Sequence, residues 1–463
     1  MTHRVRFATL VLMTLLIAVA CAPAARAAPQ ADSAILFVCD GFGPGHVAMA
    51  RAAIGRPLAV ERAQFSGTAI TTSLGGGVTD SAAAATALAT GHKTTNGTLS
   101  LSPEGQPLKT ILERCREDGK AVAVITTDAL WGATPAGFLA HAASRGRKSE
   151  IALQVAQSQT DVMLGHGSGQ FLPTSAGGER TDGKDLVAAL REAAYEVVLT
   201  RYELLTAQKQ RLVGLFDDGP QEPELRDMLI AALCRVGGDP EGFFVVIEDP
   251  GLDGDPGDPS GALADMLEID ELVAIATEWA RARGRTLLVV TGDHDSGGLQ
   301  VEHAERVPAL LKVNGSASDL AVRLNADRTN IAQVMSEFAG VTDLTPAELG
   351  EIKQARGADD AIGVVLSVRV GLKWAARGHT ATPVPVYAFG PRAEAFVGAM
   401  DNTDIPKRIA TALGLQAASQ ESASGAASRH WTLPTTSIPA LTFSTARRRA
   451  RRTAGPGSGR RLY

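Results

Sequence analysis

Short apolar runs alternate with helix-like stretches along most of the chain. The runs are rich in β-branched and aromatic residues, and all but the last precede a polar or glycine-rich turn and a helical pattern: 34–39, 121–126, 243–247, 286–290 and 384–389. Strands that are continuously apolar, rather than alternating, are typical of a sheet buried on both faces. The pattern therefore predicts an α/β fold with a largely parallel sheet.

Polar side chains with metal-binding chemistry follow three of these runs. Asp40 follows the first run, Glu248 the third, and Asp293 with His294 the fourth. A single acidic residue at such a position is usually a turn residue or a helix cap, but three together favour a site, since ligands bind beyond the carboxyl ends of parallel strands. Carboxylates bind hard divalent cations, and zinc accepts imidazole together with carboxylate, so the mixture suits zinc and magnesium.

An Asp-Ser pair precedes an alanine-rich helical run. This places Ser81 in the first turn of the predicted helix, directly after Asp80. The free backbone N–H groups and the positive end of the helix dipole favour an anion there, so a phosphate could be held against the Ser81 hydroxyl. Taken alone, an Asp-Ser pair before a helix is better explained as an N-cap by one of its two residues.

Length and composition limit the class of protein. The 463 residues, 45% hydrophobic and 21% charged, can bury a large core in one large domain or two smaller ones. A formal net charge of −5 gives no global field that would attract DNA, RNA or an anionic membrane, so we expect no nucleic-acid partner. Cys39, Cys115 and Cys234 remain after the predicted leader, and an odd number excludes a fully paired disulfide framework.

The first 27 residues have the pattern of a signal peptide. Arg4 and Arg6 precede an apolar run at 7–20 and a small-x-small sequence at 25–27. The run is shorter than the roughly 20 residues that span a bilayer, which disfavours a membrane anchor. We expect export to the periplasm or the medium; lipidation at Cys21 is a weaker match. No other segment predicts a membrane span.

The last part of the chain, 416–463, has a different composition. It is rich in Ser and Ala and then carries a basic cluster at 446–452. A basic run can contact nucleic acid or a membrane, but a single copy at a chain end is better interpreted as a solvated, disordered tail.

Seven segments resemble motifs of the alkaline phosphatase family, in that family's order. Residues 78–87 resemble the nucleophile motif, 37–43 the first metal-ligand motif and 133–145 the Thr and Arg motif. The other four similar segments are 161–165, 291–294, 378–380 and 400–405. The resemblance covers roughly 34–415 and implies one catalytic domain with insertions, built on a large mostly parallel sheet sandwiched by helices.

The same resemblance implies two zinc ions and one magnesium ion around Ser81. The implied ligands are Asp40, Thr134 and Glu248 for magnesium; Asp40, Asp293 and His294 for the second zinc; and Asp253 and His379 for the first. Ser81 would be the nucleophile of a phosphoserine intermediate, and Arg145 would bind the phosphate through paired donors. No organic cofactor is implied.

The sequence departs from the family pattern at the first zinc position. The family has a second His a few residues beyond the position of Asp253, and no His is present here. Asp255 or Asp258 could replace it, although a harder ligand set would shift the preference toward magnesium, manganese or calcium. Gly132 also stands where relatives often carry Asp or His near the third metal.

The function favoured by the sequence is hydrolysis of small-molecule phosphate monoesters, with release of inorganic phosphate. One alternative is a phosphate- or metal-binding relative that lost a competent first zinc position. Another is phosphodiester or sulfate ester hydrolysis on the same scaffold, because pocket shape decides that choice and these motifs do not. A homodimer is expected by analogy with relatives.

Overall fold

The computed structural model describes residues 30–217 and 219–415. The predicted signal peptide (1–27) and tail (416–463) lie outside the described residues. In chain order the strands are β1 Ser33–Cys39, β2 Phe65–Ile70, β3 Ala121–Ala129, β4 Val162–His166, β5 Glu196–Val198, β6 Leu212–Phe216, β7 Phe243–Asp249, β8 Thr286–Gly292, β9 Asp295–Ser296, β10 Leu299–Val301, β11 Leu372–Trp374, β12 His379–Thr380, β13 Val384–Phe389 and β14 Gly398–Asp401.

The helices fill the connections between strands. In chain order they are α1 Pro44–Ile54, α2 Ser81–Thr90, α3 Ile111–Glu117, α4 Ala133–Leu139, α5 Lys148–Gln157, α6 Leu186–Glu192, α7 Arg201–Thr206, α8 Leu225–Val236, α9 Pro259–Arg283, α10 Ala317–Val322, α11 Ile331–Ala339, α12 Pro346–Gln354, α13 Ala358–Val370 and α14 Asp404–Ala412. Across the described ranges, no helix is long and apolar enough to cross a membrane.

Ten strands form one central sheet in the order β14-β2-β13-β8-β1-β7-β3-β4-β6-β5. β13 is antiparallel to both of its neighbours, and every other pairing in this sheet is parallel. The predicted fold, a large mostly parallel sheet flanked by helices, is thus confirmed. The five apolar runs of the sequence all became strands of this sheet.

The two faces of the sheet explain why the strands are apolar throughout. In β1, Leu36 and Val38 pack into the core on one face, whereas Ile35 and Phe37 pack into the core on the other. Both layers exclude water, so each position of the strand gains from burial, at roughly 1.5–3 kcal/mol for a large side chain. A third, smaller core lies among α10 to α13, an insertion away from the sheet.

The central strands end together at one edge of the sheet. Cys39, the last residue of β1, pairs with Asp249 of β7 on one side and with Gly292 of β8 on the other. The residues that follow β1 and β8 therefore leave the sheet at the same level, next to the end of β7. This register brings Asp40 and Asp293, 253 positions apart in the sequence, into the same space.

Candidate active site

Two carboxylates and an imidazole meet where β1 and β8 end. The Nε2 atom of His294 lies 3.3 Å from Asp40 Oδ1 and 3.3 Å from Asp293 Oδ2. One ligand atom from each of the three residues lies within 4.8 Å of the other two, and all three side chains are buried. We call this set the Asp40 group.

Gly41 allows the loops that carry this group to approach closely. Its φ is +84°, a conformation that favours glycine, and a methyl group there would lie 2.7 Å from the backbone nitrogen of Asp253. The N–H group of Gly41 also donates a hydrogen bond to Asp293 Oδ1, at 3.2 Å. A side chain at this position would push the loop after β7 away from the loop after β1.

Ser81 is the first residue of α2 and faces the Asp40 group. Its Oγ lies 3.4 Å from His294 Nε2, and the residue is 4% exposed. Asp80 is the N-cap of the helix and accepts a hydrogen bond from the Ala83 N–H group at 2.9 Å. The structure therefore combines the two interpretations of the Asp-Ser pair: Asp80 caps the helix, and Ser81 points its hydroxyl at the cluster.

Asp80 also holds the chain segment that carries Arg145. Its Oδ2 accepts a hydrogen bond from the Gly97 N–H group at 3.0 Å and lies 3.4 Å from Arg145 Nη1. The backbone N–H of Arg145 donates to the Gly97 carbonyl at 2.7 Å. Because the Arg145 side chain is 38% exposed, its guanidinium group can still turn toward an anion bound at the helix N-terminus.

A second group of ligand atoms joins Asp253 and His379 to His294. The Nε2 atom of His379 lies 3.1 Å from Asp253 Oδ1, and the two imidazole rings stack with centroids 3.5 Å apart. His379 Nδ1 donates to the Thr79 carbonyl at 2.8 Å, because a carbonyl can only accept. This hydrogen bond leaves Nε2 as the coordinating nitrogen. We call this set the Asp253 group.

The pKa values of the two carboxylates Asp40 and Asp253 are shifted in opposite directions. Burial, followed by the charges of Asp293, Asp253 and Glu248, raises the pKa of Asp40 well above its usual value. Burial opposes protonation of His379, but Asp253 raises its pKa to about 9. Burial alone would raise the pKa of Asp253. The hydrogen bond to His379 and the charge of the nearby His294 outweigh burial and hold that pKa below its usual value. The buried carboxylates of the Asp40 group thus disfavour their charged forms, and a bound cation would favour them.

These two groups have the donors that a transition metal needs. Asp40 Oδ1 and Asp293 Oδ2 are buried, and no hydrogen bond reaches either oxygen from the residues that the structure describes. Buried carboxylate oxygens without donors are costly unless a cation neutralises them. Carboxylate and imidazole are zinc ligands, so the residues present fit the predicted metal.

The predicted magnesium ligands lie beside the Asp40 group. Glu248 ends the apolar part of β7 and accepts a hydrogen bond from Thr126 Oγ1 of β3. Burial and then the charge of Asp128 raise the pKa of Glu248 to about 8. Thr134, in the first turn of α4, lies beside Glu248 and is 1% exposed, and its Oγ1 makes no well-aligned hydrogen bond among the described residues. Oxygen ligands of this kind fit magnesium.

The two carboxylates suggested as substitute ligands lie at the start of α9. Asp258 is its N-cap: Oδ1 accepts hydrogen bonds from the N–H groups of Ser260 and Gly261, and Oδ2 accepts one from Ala317. The Asp255 carboxylate is buried against the same turn, 2.7 Å from where a Gly261 side chain would begin. Within the described ranges, neither belongs to the Asp253 group. Their role as metal ligands stays a prediction.

Two further residues beside the predicted ligands, Ser296 and Asp128, are not predicted by the sequence pattern. The Ser296 hydroxyl donates to Asp253 Oδ1 at 2.7 Å and lies 3.5 Å from His294 Nδ1, so it links the two groups. Its position two residues after His294 was the available signal. Asp128 has no such signal, since it is near Glu248 only because β3 and β7 are neighbours.

The sequence of this chain is similar to those of proteins from one known family. The sequence profile of the alkaline phosphatase family matches residues 31–415. The chain is 31% identical to alkaline phosphatase 3 of Bacillus subtilis strain 168, over 73% of this chain and 77% of that protein. It is 30% identical to streptomycin-6-phosphate phosphatase of Streptomyces griseus, over 88% of this chain and 97% of that protein.

Solved structures show the same fold. The alkaline phosphatase of Thermus thermophilus superposes with a TM-score of 0.75 at 30% identity and covers 84% of this chain and 92% of its own. A cold-active alkaline phosphatase from a psychrophilic Shewanella species gives a TM-score of 0.74 at 27% identity, over 82% of this chain and 99% of its own.

The profile match spans most of the sequence, and the curated relatives match over most of their own length. The family consists of metal-dependent phosphomonoester hydrolases. The Asp40 group and the Asp253 group, which lie next to Ser81, have side chains that suit this chemistry. The predicted family, fold and enzyme class are therefore confirmed. This chain belongs to the alkaline phosphatase family.

Proposed function

We propose that this enzyme is exported, depends on zinc and magnesium, and hydrolyses phosphate monoesters through a phosphoserine at Ser81. The observation that carries the proposal is the place of Ser81 Oγ, 3.4 Å from His294 Nε2 at the N-terminus of α2. A hydroxyl at that point has a metal-binding cluster on one side and an anion-favouring helix end on the other.

The residues around Ser81 account for substrate binding. Phosphate oxygens can accept hydrogen bonds from the free N–H groups of the first turn of α2 and from the Arg145 guanidinium group. A bond then forms between Ser81 Oγ and phosphorus as the bond to the ester oxygen breaks, and the alcohol leaves. Water attacks the phosphoserine in the second step, which releases inorganic phosphate and restores the hydroxyl.

The two groups of ligands support two zinc positions. Asp40, Asp293 and His294 form one of them, and Asp253 with His379 forms the other; Asp40, Thr134 and Glu248 form the magnesium position. Metal ions bound there would lower the pKa of the Ser81 hydroxyl and stabilise the leaving oxygen. The Asp253 position shares His294 with the Asp40 position and lacks a third ligand of its own, so manganese or calcium could bind there in place of zinc.

Export and assembly complete the proposal. The charged start, the apolar run at 7–20 and the small-x-small sequence at 25–27 support a cleaved signal peptide and a periplasmic or secreted enzyme, with lipidation at Cys21 as the weaker route. A homodimer is proposed by analogy with the family.

A direct test compares three substrates with the same leaving group. Purified protein with zinc and magnesium should release p-nitrophenol from p-nitrophenyl phosphate at alkaline pH much faster than from the bis-ester or the sulfate. Faster turnover of the bis-ester or the sulfate would assign the scaffold to one of those reactions. A protein that binds phosphate without turnover and retains fewer than two transition metal ions would be the non-catalytic relative.

Arg145 should contribute mainly to phosphate binding. We expect Arg145→Ala to lower kcat/KM for p-nitrophenyl phosphate by roughly 10²-fold and to weaken inhibition by inorganic phosphate, since paired guanidinium donors stabilise the transferred phosphoryl group. Arg145→Lys should lose less, because it keeps the charge but not the paired donors.

Arg147 provides the matched control for this prediction. Its exposed side chain pairs with Glu150 in the same segment, at 3.1 Å. Arg147→Ala should leave kcat/KM and phosphate inhibition within about twofold of the wild type, as an exposed ion pair contributes little. Equal losses in both alanine variants would mean that general charge, and not Arg145, attracts the substrate.

A further inference from the structure

Gly132 leaves a space at the N-terminus of α4, and a neighbouring carboxylate fills it. The backbone of Gly132 has φ −59° and ψ 165°, a conformation open to any residue, so its conformation does not require glycine. A methyl group there would lie 2.3 Å from Asp128 Oδ2. The Asp128 side chain therefore occupies the volume that a side chain at position 132 would take.

A short chain of hydrogen bonds ties Asp128 to the predicted magnesium ligand. The backbone N–H of Asp128 donates to Thr126 Oγ1 at 2.8 Å, and that hydroxyl in turn donates to Glu248 Oε2. Among the charged groups near Glu248, Asp128 has the largest effect on its pKa. The end of β3 thus holds a second carboxylate close to Glu248.

A second feature of the same place points to a ligand between these elements. Thr134 Oγ1 is buried beside Glu248, and within the described ranges it makes no well-aligned hydrogen bond. A buried hydroxyl of this kind normally has a partner. A cation bound by Glu248 would supply it, because magnesium takes oxygen ligands and keeps several of its waters.

We infer that Asp128 is a further acidic group of the Thr134–Glu248 metal position and binds magnesium through its carboxylate or through one of the waters of the ion. This inference rests on the proposed metal dependence and extends it to a residue outside the family motif described above. In this chain the carboxylate comes from the end of β3, and Gly132 is the small residue that makes room for it. Arg145 and Lys148 are nearby cations that limit the excess of negative charge.

Magnesium affinity is the direct test. Mg²⁺ is titrated calorimetrically into zinc-saturated wild type, Asp128→Asn and Asp128→Ala. Loss of the carboxylate should weaken Mg²⁺ binding by about 10- to 100-fold, the usual effect of removing an outer partner of a metal. The melting temperature without magnesium should stay close to that of the wild type, while its rise with added Mg²⁺ should shrink.

Asp327→Asn is the matched control, since Asp327 is an exposed aspartate in a turn far along the chain. Its Mg²⁺ affinity should equal that of the wild type. Unchanged Mg²⁺ affinity in both Asp128 variants would overturn the inference. A change confined to phosphate inhibition would also overturn it, because Asp128 would then act only as a partner of Arg145. Wild-type turnover, measured on the same preparation, tests the proposed function separately: an inactive wild type refutes that proposal whatever Asp128 does.

Discussion

Replacing Ser81 with alanine should reduce monoester hydrolysis by on the order of 10⁴-fold or more, because the variant lacks the proposed nucleophilic oxygen. Folding should be preserved. Ser81 is the first residue of an alanine-rich helix, and Asp80 still provides its cap. Initial rates with p-nitrophenyl phosphate, together with the melting temperature, measure both expectations.

Ser66 supplies the control for this prediction. It is an exposed serine of β2, and Ser66→Ala should keep the wild-type rate. Acid quenching of the wild type during turnover, followed by mass spectrometry, should find phosphate on the peptide that contains Ser81. A Ser81→Ala variant with wild-type turnover, or phosphate trapped on another residue, would contradict a nucleophilic role for this serine.

Replacing His294 with alanine should have the second-largest effect, a loss on the order of 10³-fold in kcat/KM. His294 is the one residue common to both groups of ligand atoms found among the described residues. Its loss removes a predicted metal ligand and the imidazole beside Asp40 Oδ1 and Asp293 Oδ2, two buried oxygens that accept no hydrogen bond from the described residues. Elemental analysis after extensive dialysis should therefore find both zinc equivalents reduced.

Two further histidine variants sharpen this result. His379→Ala should reduce zinc at the Asp253 position and leave the Asp40 position filled, because His379 belongs to one group alone. His303→Ala is the control: this exposed histidine lies 3.3 Å from Glu305, and its loss should change neither zinc content nor rate. If His294→Ala retained both zinc equivalents, the two metal positions would have to be sought among other side chains.

The sequence predicted most of what depends on local pattern. The continuous apolar runs identified the five strands, since burial on both faces of a sheet requires apolar residues at every position. The polar residues directly after those runs identified Asp40, Glu248, Asp293 and His294, because parallel strands end at the same edge. The Asp-Ser pair before an alanine-rich run placed Ser81 in the first turn of a helix.

The direction of one strand could not be predicted in this way. The run at 384–389 forms β13, the one antiparallel strand of the central sheet, between β2 and β8. An apolar run has the same appearance in either direction, so the route of the connecting chain decides the pairing.

By itself, then, the sequence determined the fold class, the place of Ser81 in the first turn of a helix and the carboxylates at the strand ends, because each depends on residues close together in the chain. The tertiary structure alone decided how distant side chains share the site. It stacked His379 on His294, engaged Asp258 as the cap of α9, and filled the space at Gly132 with the Asp128 carboxylate. These outcomes depend on which backbones approach each other across the folded chain, and no local periodicity encodes that approach.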